Sequence, residues 1–126
     1  MRALMLIAAA ATLASCSRAV SPPGADVAEA LAGRLPGPPQ SCVTTYPAEN
    51  LHALDAQTIA YGTGRTIYIN RLAEACPAIS PFNAIIVEPL LPGQYCRADR
   101  IRGNEPGSII PGPTCNLGEW IPYRRP

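Results

Sequence analysis

Lysine is absent from this chain of 126 residues, and histidine, tryptophan and phenylalanine occur once each. Without lysine, neither a Schiff base nor a lysine general base is available for catalysis. Any Ser-His or Cys-His catalytic pair would have to use His52, the single histidine. Clustered basic charge is scarce as well, because ten arginines oppose nine acidic residues. Nucleic-acid binding depends largely on such charge, so we expect no nucleic-acid partner.

Motifs that would indicate catalysis, a metal or a cofactor are missing too. No serine lies in a G-x-S-x-G motif, and the acidic residues are scattered along the chain. The Gly62-Thr63-Gly64 segment is too short for a phosphate-binding loop and suits a turn. Asp55 would orient the His52 imidazole only if the segment between them were helical. We therefore expect no catalytic residue, no metal and no cofactor, with a minor hydrolase centred on His52 as an alternative.

The only long apolar run lies near the beginning, from Ala3 to Leu13, directly after Arg2. A transmembrane helix needs about 20 apolar residues, so this run is typical of a signal peptide instead. The run ends in Leu13-Ala14-Ser15-Cys16, which resembles a bacterial lipobox, where the cysteine is acylated before cleavage. We expect residues 1–15 to be removed and Cys16 to carry a lipid anchor. Cleavage after Ala19, which would discard Cys16 and release a soluble protein, is the alternative.

The segment that follows Cys16 indicates location and spacing. In enteric bacteria an Asp after the lipidated cysteine favours the inner membrane, whereas this chain has Ser17, so we expect the outer membrane, facing the periplasm. Residues 16–40 contain two proline-rich stretches that favour extended backbone, with a short helix predicted between Asp26 and Gly33. We interpret this segment as a tether to a compact domain over residues 41–126. A linker without a spacing role is the alternative.

Four further cysteines indicate two structural disulfides: Cys42, Cys76, Cys96 and Cys115. An even number of cysteines in an exported chain is typical of disulfide bonding. None of the spacings forms the C-x-x-C pairs of structural zinc sites or thioredoxin-like sites. Four cysteines allow three pairings. We prefer the nested one, Cys42 with Cys115 and Cys76 with Cys96, because it ties the ends of the domain together and closes a central loop separately.

The domain carries the signals of a small, mainly β fold. Thr58–Tyr61 and Thr66–Asn70 are rich in β-branched and aromatic residues around a glycine turn, which predicts a hairpin. A helical turn over Arg71–Ala75 and a strand over Ala84–Val87 follow. Short segments up to Tyr123 complete about five strands in a meander or partly open barrel, stapled by the disulfides; a small α+β fold is the alternative. The single tryptophan, Trp120, is expected in the core or at its edge, with a ligand platform as the alternative.

Several short motifs are distributed along the domain: Cys42-Val43, Asp55 with Thr58-Ile59, YINRL at Tyr68–Leu72, Cys76-Pro77, CRADRI at Cys96–Ile101, and CNLGEW at Cys115–Trp120. Together they resemble a family of small exported proteobacterial proteins, some of them lipoproteins, known as a domain of unknown function. Ala98 stands where members favour Gly, and Trp120 where they favour Phe. The resemblance implies structural cysteines and a single unit, and it implies no activity.

Three arginines occur within six residues: Arg97, Arg100 and Arg102. If folding joined them to Arg124 and Arg125, they could contact an anion such as a lipid phosphate or a carboxylated glycan. On a strand, however, Arg97 and Asp99 point to one face while Arg100 and Arg102 point to the other. A solvated strand edge is therefore the simpler interpretation.

These observations predict a non-enzymatic lipoprotein of the cell envelope, acting as a binding or structural accessory domain. Its expected partners are the membrane, through the lipid anchor, and an envelope protein or glycan. A small periplasmic inhibitor of a hydrolase is the main alternative. An exposed rigid loop such as Leu90–Tyr95 would suit that role.

Overall fold

The computed structural model describes residues 25–126. The predicted signal peptide, the lipidation of Cys16 and the first part of the predicted tether lie outside this range. The described residues form one helix and ten strands: α1 Ala25–Leu31, β1 Leu35–Pro36, β2 Cys42–Thr44, β3 Leu51–Ala53, β4 Thr58–Tyr61, β5 Thr66–Arg71, β6 Ala84–Glu88, β7 Gln94–Cys96, β8 Arg100–Asn104, β9 Cys115–Asn116 and β10 Trp120–Arg124.

The strands form three antiparallel sheets. The largest has five strands in the order β1-β10-β5-β4-β3, beside a pair β2-β7 and a three-stranded sheet β6-β8-β9. Over residues 25–126 these sheets do not close into a barrel. The mainly β class expected from the sequence is therefore confirmed.

The predicted hairpin is present as β4 and β5, with Ala60 opposite Ile69. Its turn contains Gly62 and Gly64, both at positive φ, a backbone conformation that glycine adopts without a steric cost. The predicted helical turn over Arg71–Ala75 is wrong, because β5 continues through Arg71 and the chain then bends at Ala73 and Glu74 without forming a helix. Backbone hydrogen bonds from Leu72 to Gln57 and from Cys76 to Ala56, both 2.8 Å, hold it there. Long-range bonds thus override the local helix preference.

The five-stranded sheet is buried on both faces, because helix α1 covers one of them. On that face Val27 of the helix packs with Leu54, Ala60, Ile67 and Ile69. Strand β1 also joins the sheet, since Leu35 pairs with Arg124 of β10. The part of the predicted tether from Ala25 onward therefore belongs to the packed unit. Pro36 lies in this edge strand, where a missing N–H donor is tolerated.

The other face of the sheet carries the main core, centred on Trp120. This residue is fully buried, as predicted, and its ring lies 6.4 Å from Tyr61 in a T-shaped arrangement. Burial raises the pKa of the Tyr61 hydroxyl, although the Tyr46 amide that donates to it partly offsets this effect. Asn70, also fully buried, donates to the Gly118 carbonyl and accepts from the Gly118 amide. The Asn70 amide thus fixes the chain just before β10.

Both disulfides form, but their pairing differs from the nested preference, which is wrong. Cys42 bonds to Cys96, with Cα atoms 4.0 Å apart, and Cys76 bonds to Cys115, with Cα atoms 6.2 Å apart. The sheet register explains the difference, because β2 pairs with β7 and places Cys42 directly opposite Cys96. Strand β9, which contains Cys115, pairs instead with β8.

Non-reducing peptide mapping checks this pairing. Trypsin followed by chymotrypsin separates all four cysteines, because cleavage after Phe82 divides Cys76 from Cys96. We expect a disulfide-linked peptide pair that contains Cys42 and Cys96, and a second pair that contains Cys76 and Cys115. A linked pair that joins Cys42 to Cys115 would show that the register between β2 and β7 is incorrect.

Candidate functional site

A short loop between β6 and β7 presents two leucines to solvent. We call residues 89–93 the leucine loop. Leu90 is 72% exposed and Leu91 is 52% exposed. Pro89 and Pro92 restrict the backbone on either side of them, and Gly93 adopts a φ of 74° that closes the turn. Two adjacent exposed leucines on a restricted loop are a candidate contact surface.

The carboxylate of Asp99 holds both flanks of the leucine loop. Asp99 is fully buried. Its Oδ1 accepts a hydrogen bond from the Leu90 amide at 3.0 Å, and its Oδ2 accepts one from the Cys96 amide at 2.7 Å. A buried carboxylate is stable only when such donors replace the lost water. The loop is therefore anchored at its beginning and just after its end by one side chain.

Asp99 is itself held in place by the backbone around it. Its amide donates to the Cys96 carbonyl at 3.1 Å, and its carbonyl accepts from the Leu117 amide at 2.9 Å. The preceding residue, Ala98, adopts a φ of 73°, and its amide donates to the Leu117 carbonyl at 2.9 Å. These bonds join the turn between β7 and β8 to the segment that leads into β10.

Two further contacts restrain the leucine loop from β2. The Gly93 carbonyl accepts a hydrogen bond from the Thr45 amide at 3.0 Å. The Cys42–Cys96 disulfide joins β2 to β7 three residues after Gly93. A loop held by its backbone at several points loses little conformational entropy on binding, which favours affinity.

The structure divides the three arginines of the predicted anion contact. Arg100 lies 3.0 Å from Glu88 and Arg102 lies 3.9 Å from the same carboxylate. Arg97 lies in the turn after β7 and faces Glu119 instead, at 3.7 Å. All three guanidinium groups therefore already face a carboxylate, and only Arg100 and Arg102 share one. Arg124 and Arg125 lie apart from them, at the end of β10.

His52 lies exposed on β3 rather than in a catalytic arrangement. Within residues 25–126 its ring makes no side-chain hydrogen bond. The expected orienting partner, Asp55, accepts a hydrogen bond from the Gln57 amide at 2.8 Å and shapes the turn before β4. His52 does line two grooves, of about 460 and 420 Å³, which also share Asp26 and Leu54.

Residues 25–126 contain neither a metal-binding cluster nor a membrane-spanning helix. In that range, no group of three or more His, Cys, Asp and Glu side chains could hold a metal ion. The one helix described is too short to cross a bilayer.

Sequence reasoning named the loop Leu90–Tyr95 but missed the residue that holds it. Asp99 lies between exposed arginines in the CRADRI motif, and periodicity grouped it with Arg97 as a surface charge. The only signal was a carboxylate directly before an alternating strand and three residues after a cysteine. Only the fold shows that this side chain turns inward.

Asp99→Ala tests the anchoring of the leucine loop. The substitution leaves the part-buried Leu90 amide and the buried Cys96 amide without an acceptor, so we expect a loss of about 2–4 kcal/mol in unfolding free energy. We also expect amide hydrogen exchange to accelerate at both positions. Urea unfolding and exchange measurements check this. Glu105→Ala, which removes an exposed carboxylate, is the control and should change stability by less than about 0.5 kcal/mol. Equal effects of the two substitutions would contradict the anchoring role.

The function of the site is inferred from its geometry, because comparison with known proteins identifies no relative. No family model, curated protein or solved structure matches this chain. The resemblance to an exported proteobacterial family therefore stays a prediction.

Proposed function

We propose that this chain is a non-enzymatic binding domain of the bacterial cell envelope, anchored by a lipid on Cys16, that contacts a partner protein through the leucine loop. The observation that carries the proposal is the pair of exposed leucines on a loop fixed by the buried Asp99 carboxylate. A flexible loop with the same leucines would bind a partner more weakly, because the entropic cost of ordering the loop would offset much of the binding energy.

The chemistry of the loop favours a protein over a glycan as its partner. Leu90 and Leu91 offer aliphatic surface and no side-chain donor or acceptor for sugar hydroxyls. Burying them in an apolar pocket contributes about 1–2 kcal/mol each, given how much of each is exposed. The backbone restraints keep the entropic cost of binding low. A partner with an apolar pocket is therefore the expected match.

Inhibition of a hydrolase is the second candidate function, and the same loop favours it. A convex, backbone-restrained loop with apolar side chains can enter the cleft of a protease or a lytic enzyme and resist rearrangement there. The two candidates differ in their consequence, since an inhibitor blocks its partner's activity at a stoichiometric ratio and an accessory domain does not.

Photo-crosslinking from the loop tests the proposed contact. With p-benzoylphenylalanine at position 90 of the full chain in cells, we expect a discrete crosslinked protein, because Leu90 contacts the partner. Position 109 is the matched control, since Ile109 is 95% exposed in another loop and also precedes a second exposed isoleucine. Adducts that are equal at both positions, or absent from position 90, would contradict the contact. If the captured protein is a hydrolase, near-stoichiometric loss of its activity assigns the inhibitor function.

A second pair of variants measures the energy of the contact. Leu90→Ser with Leu91→Ser should weaken binding of the captured partner by roughly tenfold or more, because two apolar contacts are lost. Ile109→Ser with Ile110→Ser is the control and should leave the affinity unchanged.

Intact mass spectrometry tests the proposed anchor. Protein from the membrane fraction should begin at Cys16 and carry a diacyl or triacyl mass increment, because the lipobox cysteine is acylated. Cys16→Ser should remove that increment. An unacylated chain beginning near Val20 would contradict the anchor. The binding role of the leucine loop would then depend only on the crosslinking result.

A further inference from the structure

Two grooves beside His52 share lining residues, and together we call them the trough. They meet at Asp26, His52 and Leu54, which line both of them. One groove runs from there between α1 and the Gly62–Gly64 turn, and the other runs to Phe82. Their volumes, about 460 and 420 Å³, are in the range of small-molecule sites.

The trough brings together the only histidine and the only phenylalanine of the chain. Phe82 is 85% exposed, which is unusual for a large aromatic ring and calls for a role. His52 is exposed as well, and within residues 25–126 its ring nitrogens have no hydrogen-bond partner. An open aromatic face and a free imidazole are thus available to the same ligand.

Phe82 is presented on a turn that the fold holds in place. Its amide donates to the Ser80 hydroxyl at 3.3 Å, and the Asn83 side chain donates to the Ala78 carbonyl at 2.8 Å. The Cys76–Cys115 disulfide fixes the beginning of this turn. Gly103 of β8 lacks a side chain, which allows the Ala78 backbone to lie directly against that strand. The exposed ring is therefore displayed by a restrained backbone.

Charge in the trough is mixed rather than of one sign. Asp26 and Glu29 of α1 contribute carboxylates, and Arg125 contributes a guanidinium group. Arg34 also lines the trough, but its guanidinium group donates to the Gly64 and Arg65 carbonyls at 2.8 and 2.9 Å. Mixed charge above the apolar Leu54, Ala60 and Ile67 side chains suits a ligand that is neutral and rich in hydroxyl groups.

We infer that this trough binds a neutral saccharide, with Phe82 stacking on a sugar ring and His52 and Asp26 binding its hydroxyl groups. An aromatic face attracts the polarised C–H groups on one face of a pyranose ring, and a carboxylate and an imidazole accept hydrogen bonds from hydroxyls. An envelope glycan is the expected source, and this identification rests on the location proposed above. The trough is separate from the leucine loop, so the domain would have two contact surfaces.

An NMR titration of the mature chain tests the saccharide site. The chain from residue 16 onward, with Cys16→Ser to keep it free of lipid, is titrated with a β-1,4-linked N-acetylglucosamine tetramer. We expect amide shifts concentrated in α1, β3 and the turn around Phe82. Phe82→Ala should weaken binding about tenfold, the value of one aromatic stacking contact, and His52→Ala should weaken it as well. Ile109→Ala, which removes an equally exposed aliphatic side chain, should leave the affinity unchanged.

Three results would overturn the inference. The first is an absence of shifts in the trough at millimolar tetramer, and the second is binding that Phe82→Ala leaves intact. The third is displacement of the tetramer from the trough by a lysine-rich peptide that binds there more tightly, which would assign the trough to a cationic ligand. None of these results bears on crosslinking from position 90, so failure of the saccharide site and failure of the leucine-loop contact are distinguishable.

Discussion

The buried Asp99 carboxylate is the constraint on which the arrangement of the smaller sheets and the leucine loop depends. A carboxylate without water costs several kcal/mol unless donors surround it, and here two backbone amides from different segments supply the donors. The same requirement works in both directions. The carboxylate needs the amides of Leu90 and Cys96 for its own stability. The part-buried Leu90 amide and the buried Cys96 amide need an acceptor in return. The Asp99 hydrogen bonds therefore couple the conformation of the leucine loop, strand β7 and the turn between β7 and β8.

The two disulfides restrain the backbone near both proposed contact surfaces. The Cys42–Cys96 bond lies beside the Asp99 hydrogen bonds and secures the leucine loop, whereas the Cys76–Cys115 bond secures the turn that displays Phe82. A domain with one tryptophan and one phenylalanine has a limited apolar core, so covalent links of about 2–4 kcal/mol each are a substantial part of its stability. Each link also stabilises one of the two surfaces on which exposed apolar side chains are found.

The features that the sequence predicted correctly are those that local pattern determines. The β4–β5 hairpin follows from β-branched residues around a glycine turn, and the burial of Trp120 follows from the scarcity of large apolar residues. The pairing of the cysteines and the conformation of Arg71–Ala75 depend on which strands become neighbours, and that information is not local. At Ala98 a φ of 73° falls in the region that favours glycine.

The candidate site was harder to predict because the burial of its key side chains is the opposite of what is usual for their residue types. Asp99 is a charged residue that is fully buried, whereas Leu90 and Phe82 are apolar residues that are mostly exposed. Hydrophobic patterning assigns all three to the opposite environment, and such exceptions are common where a chain serves binding rather than stability. With the proposed anchor, the nine residue-to-residue steps between Cys16 and Ala25 span at most about 30 Å. That reach would hold the trough beside α1 near the membrane, and a surface kept at such short range can act with weak affinity, because tethering raises the effective concentration of anything bound to the same membrane.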